Sequence, residues 1–223
     1  MLKYTRKAFQ RLPELGRPRI LDIGCGSGVP TLELAKLSKG EVVGLDIDQA
    51  LLDELDRKIQ RSGFSNRVRT RNCSMFEIGF PDESFDIIWT EGAISVIGFE
   101  RGLTKWKRLL RPGGLLVVHV ETKGMLDRLG HLPRLGYRLL DQVSLPEDAH
   151  WTEYYRHLET RINELRAKYS RNPEALTMLE KRQDEIDMVK RNPKEFSSAF
   201  YIMQKLRGPK PVRREDPSPC SGS

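Results

Sequence analysis

Apolar and polar positions alternate between two kinds of segment through most of the chain. Short apolar runs that end in a glycine-rich or acidic turn are followed by helix-length stretches in which apolar residues recur every three or four positions. Buried parallel strands are continuously apolar and their crossover helices are amphipathic, so this order is typical of an alternating β/α fold. The pattern predicts an α/β fold with a mostly parallel sheet.

Seven segments are predicted to be strands. Residues 85–89 (FDIIW) and 115–120 (LLVVHV) give the strongest strand patterns, because both are continuous apolar runs next to turn residues. The other predicted strands are residues 19–23, 41–45, 67–71, 137–145 and 198–205. Helices are predicted for residues 31–38, 51–59 and 103–110, the last ended by RPGG, whose Pro and Gly cannot continue a helix.

Residues 146–191 lie between the last two predicted strands and have a helical composition. Apolar residues recur at helical spacing on both sides of Pro173, which predicts two helices. We expect residues 1–207 to form a single domain, with 146–191 as a helical insertion that serves either as a packing layer or as a cap over an acceptor site. Residues 208–223 are rich in Pro, Ser and charge and are expected to be disordered, because they cannot bury a core.

Composition excludes several classes of protein. No run approaches the roughly 18 to 20 consecutive apolar residues that a membrane helix needs, and the first ten residues lack the apolar centre of a secretory signal. The three cysteines form no CxxC pair and the four histidines show no metal-ligand spacing. We therefore expect a reduced, cytoplasmic protein, a monomer or homodimer, with no disulfide framework, metal or membrane partner.

The net charge of +7 invites a nucleic-acid partner, so the distribution of the charge matters. Residues 1–19 carry +5 and residues 196–223 carry +3, which leaves −1 for residues 20–195. The excess lies at the two ends, where charged residues are often only solvated. A nucleic-acid partner is therefore not favoured.

A glycine-rich turn after the first predicted strand carries the strongest chemical signal. Glycine accepts positive φ and has no side chain, so such a turn lets the backbone approach a ligand closely. The spacing here is G-x-G-x-G, and Val29 stands where a dinucleotide fingerprint requires a third glycine, which argues against a nicotinamide oxidoreductase. Asp46 ends the next strand, where parallel α/β sheets place an acid that binds a ribose diol.

Four motifs together resemble the class I S-adenosylmethionine-dependent methyltransferases. They are LDIGCGSG, GLDID, FPDESFDIIW and LLRPGGLLVV, and they occur in the family's order within residues 18–122. The closer resemblance is to uncharacterised prokaryotic small-molecule methyltransferases, and the wider one is to quinone-biosynthesis and sterol-type methyltransferases. It implies a Rossmann-like seven-stranded sheet with an antiparallel last strand. It also implies S-adenosyl-L-methionine as donor and S-adenosyl-L-homocysteine as product.

The resemblance also assigns the cofactor residues. Asp22 would orient the methionine moiety and Ile47 would pack on the adenine, while Asp46 would accept the ribose hydroxyls. The turn beneath the methionine moiety would be formed by Gly24, Cys25, Gly26 and Gly28. Cys25 is expected to pack behind this turn rather than to act as a reactive thiol.

The chain departs from the family at the adenine end. The position of the usual acid falls on Ser74, followed by Met75. A hydroxyl can still accept a hydrogen bond from the adenine amino group, and Met75 can complete the contact. The alternative is that these residues only pack the end of a strand.

Two candidate catalytic residues follow from position and chemistry. Glu91 comes directly after the fourth strand and is predicted to face the donor or the acceptor, or else only to cap the following turn. His150 is a candidate base because histidine takes a proton near neutral pH, although a histidine beside Trp is often a packing residue. The aromatic residues near it are predicted to line the acceptor pocket: Trp151, Tyr154 and Tyr155.

The function predicted from the sequence is methyl transfer to a small-molecule acceptor by in-line displacement. Two alternatives remain open at this stage. The basic ends would suit an RNA or protein methyltransferase, whose binding would fall steeply with salt. The glycine turn would equally suit a donor-binding protein that catalyses nothing.

Overall fold

The computed structural model describes residues 1–149, 151–170 and 172–207, and the predicted tail lies outside these residues. A seven-stranded sheet forms its centre, in the order β3-β2-β1-β4-β5-β7-β6. The strands are β1 (Arg19–Ile23), β2 (Glu41–Asp46), β3 (Val68–Asn72), β4 (Phe85–Glu91), β5 (Leu110–Glu121), β6 (Tyr137–Ser144) and β7 (Ser198–Lys205). β7 runs antiparallel to both its neighbours and the first five strands are parallel, which confirms the predicted sheet.

Helices connect these strands. Those of the described chain are α1 (Leu2–Phe9), α2 (Val29–Ser38), α3 (Gln49–Arg61), α4 (Ile94–Ile97), α5 (Phe99–Trp106), α6 (Met125–Gly130), α7 (Leu132–Leu135), α8 (Arg156–Lys168) and α9 (Pro173–Arg191). A π-helical turn at Trp151–Tyr155 precedes α8, and 3-10 turns occupy Lys107–Leu109 and Pro193–Phe196. Among the described helices, none is both long enough and apolar enough to cross a membrane.

The apolar core lies on both faces of the sheet. One face packs against α4 to α7, with Trp106 and Leu103 of α5 wholly buried. The other face packs against α1, α2 and α3, where Leu34 and Leu55 are buried beside Trp89. Burial on both faces explains why the central strands are continuously apolar.

The start of β5 differs from the sequence prediction. Residues 103–110 are predicted to be helical, and α5 with the 3-10 turn after it is helical as far as Leu109, but Leu110 already pairs with Phe85 of β4. The next register pair is Ile87 with Leu115, so residues 111–114 bulge out of β5 instead of separating a helix from a strand. The turn residues RPGG therefore lie inside a strand.

The insertion forms a helical hairpin between β6 and β7. α8 packs against α9, and Ile162, Ile186 and Val189 are buried. The predicted pair of helices on either side of Pro173 is present, and the π-helical turn joins the hairpin to the rest of the chain.

Candidate functional site

The glycine turn follows β1 and is tied to the end of β2. Gly24, Gly26 and Gly28 all have positive φ, at 73°, 52° and 77°. The main-chain N–H groups of Gly24 and Cys25 both donate to the carbonyl oxygen of Leu45, at 2.8 and 3.0 Å. A Cβ at Gly24 would collide with Ala93 and one at Gly28 with Leu55, so the turn needs glycine at both positions.

Asp46 lies at the carboxyl end of β2 and is held by main-chain donors. Its Oδ2 accepts from the N–H of Gly26 at 2.8 Å, and its Oδ1 accepts from the N–H of Asp48 at 3.0 Å. A carboxylate has about four acceptor positions, so the two oxygens keep capacity for further hydroxyl donors. The neighbouring Ile47 side chain is 72% exposed, which leaves it available to a flat ring.

A cavity of about 370 Å³ opens at this edge of the sheet. Six of the residues predicted to bind the cofactor line it: Gly24, Asp46, Ile47, Ser74, Met75 and Glu91. Leu45, Cys73, Phe76, Ala93 and Val96 complete the wall, and the sequence prediction did not include them. Residues from β2, the loop after β3, the end of β4 and α4 thus converge on one space.

Asp22 is buried on β1, two residues before Gly24 of the cavity wall. Its Oδ2 accepts a hydrogen bond of 2.6 Å from the Thr31 hydroxyl on α2. Burial raises the pKa of Asp22 to about 7 although the Thr31 bond opposes the shift, and the negative charges of Glu91 and Asp46 add to it. A buried carboxyl whose pKa is raised in this way favours a cationic ligand, because the cation compensates the desolvated negative charge.

Glu91, the last residue of β4, is held by two side-chain donors. Its Oε1 accepts from the Thr5 hydroxyl of α1 and from the Trp89 indole N–H, each at 2.9 Å. Burial raises the pKa of Glu91, and these two bonds oppose the shift. The turn after Glu91 is closed by main-chain bonds such as Ser95 N–H to Gly92 oxygen, so the described contacts do not make the carboxylate a turn cap.

Ser74 and Met75, from the loop after β3, also line the cavity. The Ser74 Oγ accepts from the Phe76 N–H at 3.3 Å, and the Trp106 indole donates to the Met75 carbonyl at 3.0 Å. These bonds fix the loop after β3. A larger cleft of about 600 Å³ lies beyond Met75 and Phe76, and Met75 is the one predicted site residue that lines it.

Cys25 and His119 have structural surroundings. The Cys25 side chain is buried against Gly44, and burial raises the pKa of its thiol, which keeps it protonated. The His119 Nε2 lies 2.9 Å from the Ser198 hydroxyl, and its ring stacks on Phe200. Within the described residues no group of three or more His, Cys, Asp or Glu is arranged to hold a metal.

Of the predicted acceptor-side residues, Trp151 and Tyr155 lie in the π-helical turn before α8. Trp151 is partly buried with the Lys190 ammonium 4.5 Å from its ring centre, and the Tyr155 hydroxyl donates to Glu185 at 3.0 Å. His150 and the side chain of Tyr154 lie outside what the structure describes. The roles of these four residues therefore stay predictions.

Sequence comparisons with known proteins identify methyltransferases. Residues 20–114 match a family model described as a methyltransferase domain. Methyltransferase GfsG of Streptomyces halstedii is 28% identical over 127 residues, which cover 56% of this chain and 46% of that protein. Sterol 24-C-methyltransferase erg6 of Aspergillus fumigatus is 30% identical over 102 residues, which cover 45% of this chain and 27% of that protein. The chain thus spans less than half the length of these relatives.

The fold also matches solved structures. A methyltransferase from Geobacter sulfurreducens in complex with S-adenosyl-L-homocysteine superposes with a TM-score of 0.78 at 16% identity. The match covers 92% of this chain and 91% of that one. At this identity the likeness shows a shared fold.

Proposed function

We propose that this chain, whose residues 20–114 match a methyltransferase domain, is a class I S-adenosylmethionine-dependent methyltransferase and methylates a small-molecule acceptor. The observation that carries the proposal is the cavity beside the glycine turn, at the carboxyl ends of the parallel strands. Six residues chosen from four separate sequence segments line that cavity. Ligands of open α/β sheets bind at this edge.

The residues present fit the donor. Gly24 lets the backbone approach the ligand, Asp46 offers carboxylate oxygens to the ribose hydroxyls, and the exposed Ile47 offers an apolar surface to the adenine. Asp22 and Glu91 supply negative charge to the cationic methionine end. When bound, S-adenosylmethionine supplies a methyl group on a positively charged sulfur, which an acceptor atom displaces in line to leave S-adenosylhomocysteine.

An RNA acceptor is disfavoured by ion pairs that basic N-terminal residues form within the chain. Lys3, Arg6 and Arg11 form ion pairs with Glu153, Glu33 and Asp141 of this same chain. Cations that are paired within the chain contribute little to a surface for a polyanion. This observation weighs against an RNA acceptor.

The proposal is tested with a donor that carries a labelled methyl group. The purified protein is incubated with this donor and with one of three fractions of a cell extract: small molecules, RNA or protein. We expect label in the small-molecule fraction, and none with the Asp46→Ala variant. Label in RNA or protein would overturn the small-molecule acceptor, and donor binding without transfer to any fraction would indicate a binding protein.

A further inference from the structure

Helix α1 places a buried polar residue against Glu91, which lines the proposed donor cavity. Thr5 is wholly buried, and its hydroxyl donates to the Glu91 Oε1 at 2.9 Å from an element 86 positions away in the chain. α1 lies outside the segment that matches the methyltransferase family model. The contact is therefore a feature of this chain that the family match does not include.

The position of Thr5 is fixed by contacts on both sides of it. Tyr4 and Ala8 of the same helix are buried in the core that contains Trp89. Lys3 pairs with Glu153 of the π-helical turn at 2.5 Å. A hydroxyl on a helix held in this way cannot follow Glu91 freely, so it restrains the carboxylate.

The restraint acts on one oxygen of Glu91. Oε1 receives two donors, Trp89 from the same strand and Thr5 from α1. Two donors on one oxygen fix the rotation of the carboxylate about its last bond, and so fix the direction of Oε2. Hydrogen bonds to a charged acceptor are the stronger kind.

We propose that Thr5 is a positioning residue for the donor, because its hydroxyl holds the Glu91 carboxylate toward the cationic methionine end. The proposal rests on the proposed function. Thr5 acts through Glu91 and touches no reacting atom.

The ionisation of Glu91 gives the proposal a signature. Among the described residues, the Asp22 carboxyl on β1 interacts electrostatically with Glu91, and Asp46 in turn raises the pKa of Asp22. The amino group of Met1 lowers the pKa of Glu91. His119 lies beside Glu91 in the register of β4 and β5. The Thr5 bond lowers the pKa of Glu91, so its removal raises that pKa and favours the protonated acid. Loss of donor affinity should then be larger at low pH than at high pH.

The test measures S-adenosylhomocysteine affinity by calorimetry near pH 6 and near pH 8. The variants are Thr5→Val, which keeps the shape, and Thr5→Ser, which keeps the hydroxyl. Thr70→Val is the matched control, because the Thr70 hydroxyl donates to Asp56 at the same 2.9 Å but away from the cavity. Unfolding temperatures are recorded for all proteins.

We expect Thr5→Val to bind about tenfold more weakly near pH 6, with a smaller loss near pH 8. Thr5→Ser and Thr70→Val should bind like the parent at both pH values. The proposal would be overturned if Thr5→Val bound as tightly as the parent at both pH values. It would also be overturned by a loss of affinity that did not depend on pH and that was not avoided in Thr5→Ser. If the parent protein binds no S-adenosylhomocysteine, the proposed function fails as well. If the parent binds it and Thr5→Val binds it equally well, only the role of Thr5 is refuted.

Discussion

Replacing Asp22 with Asn should stabilise the protein without donor while weakening donor binding. Asn has nearly the shape of Asp, and its side-chain oxygen can still accept the Thr31 hydroxyl. The substitution removes a charge that is expensive to bury when no cation is present. Residues that serve binding at the expense of stability behave in this way.

The size of the effect follows from the pKa of Asp22. Folding raises it from 3.8 to about 7. The folded state therefore keeps a proton that the unfolded state has lost, so the contribution of Asp22 to stability is full below about pH 4 and falls as pH rises toward 7. The total loss is on the order of 4 kcal/mol at pH 8, and about 2 to 3 kcal/mol of it occurs between pH 5 and pH 8.

The assay is urea unfolding of both proteins without donor, near pH 5 and near pH 8. Groups that titrate alike in the two proteins cancel in the difference between their free energies of unfolding. The advantage of the Asn variant should grow by about 2 to 3 kcal/mol from the lower to the higher pH. A difference that does not depend on pH, or a less stable Asn variant near pH 8, would refute the assignment of a buried, ionising Asp22.

Three further substitutions test other parts of the site and core. Gly28→Ala should lower the free energy of unfolding by about 1 to 3 kcal/mol, because φ is positive and the Cβ collides with Leu55; an unchanged urea midpoint would contradict this. Tyr137→Phe removes a buried hydroxyl that donates to the Leu103 oxygen, so it should cost about 1 kcal/mol and leave calorimetric donor affinity unchanged; weaker donor binding would contradict this. Glu91→Gln should lower donor affinity and turnover in the labelled-methyl assay, and unchanged values for both would exclude Glu91 from the site.

The strands were predictable because the signals that mark them lie within their own sequence segments. Residues 19–23 and 198–205 are strands with the predicted bounds, since continuous apolar runs and their flanking turn residues mark buried strands. The start of β5 was not predictable in this way. Leu110 joins the strand through pairing with Phe85, and RPGG is tolerated there as a bulge, which depends on a neighbour 25 positions away.

The candidate site was also predictable only in part. Motif and strand order placed Gly24, Asp46 and Glu91 at the edge where they converge. Thr5 could not be found from its own segment, because residues 1–19 are dominated by basic charge and were interpreted as a solvated end. The relevant interaction joins α1 to the far end of β4, and no local pattern encodes such a contact.

The most direct test of the donor site is calorimetric titration with S-adenosylmethionine, S-adenosylhomocysteine and NAD in parallel. Asp46→Ala removes the proposed ribose acceptor, and Asp53→Ala is the matched control, because Asp53 lies on α3 and accepts from Gln49 outside the cavity. The parent and Asp53→Ala should bind both adenosyl sulfur compounds saturably and NAD not at all, and Asp46→Ala should lose that binding. Absence of binding by the parent, or a preference for NAD, would contradict a methyl-donor site at this cavity.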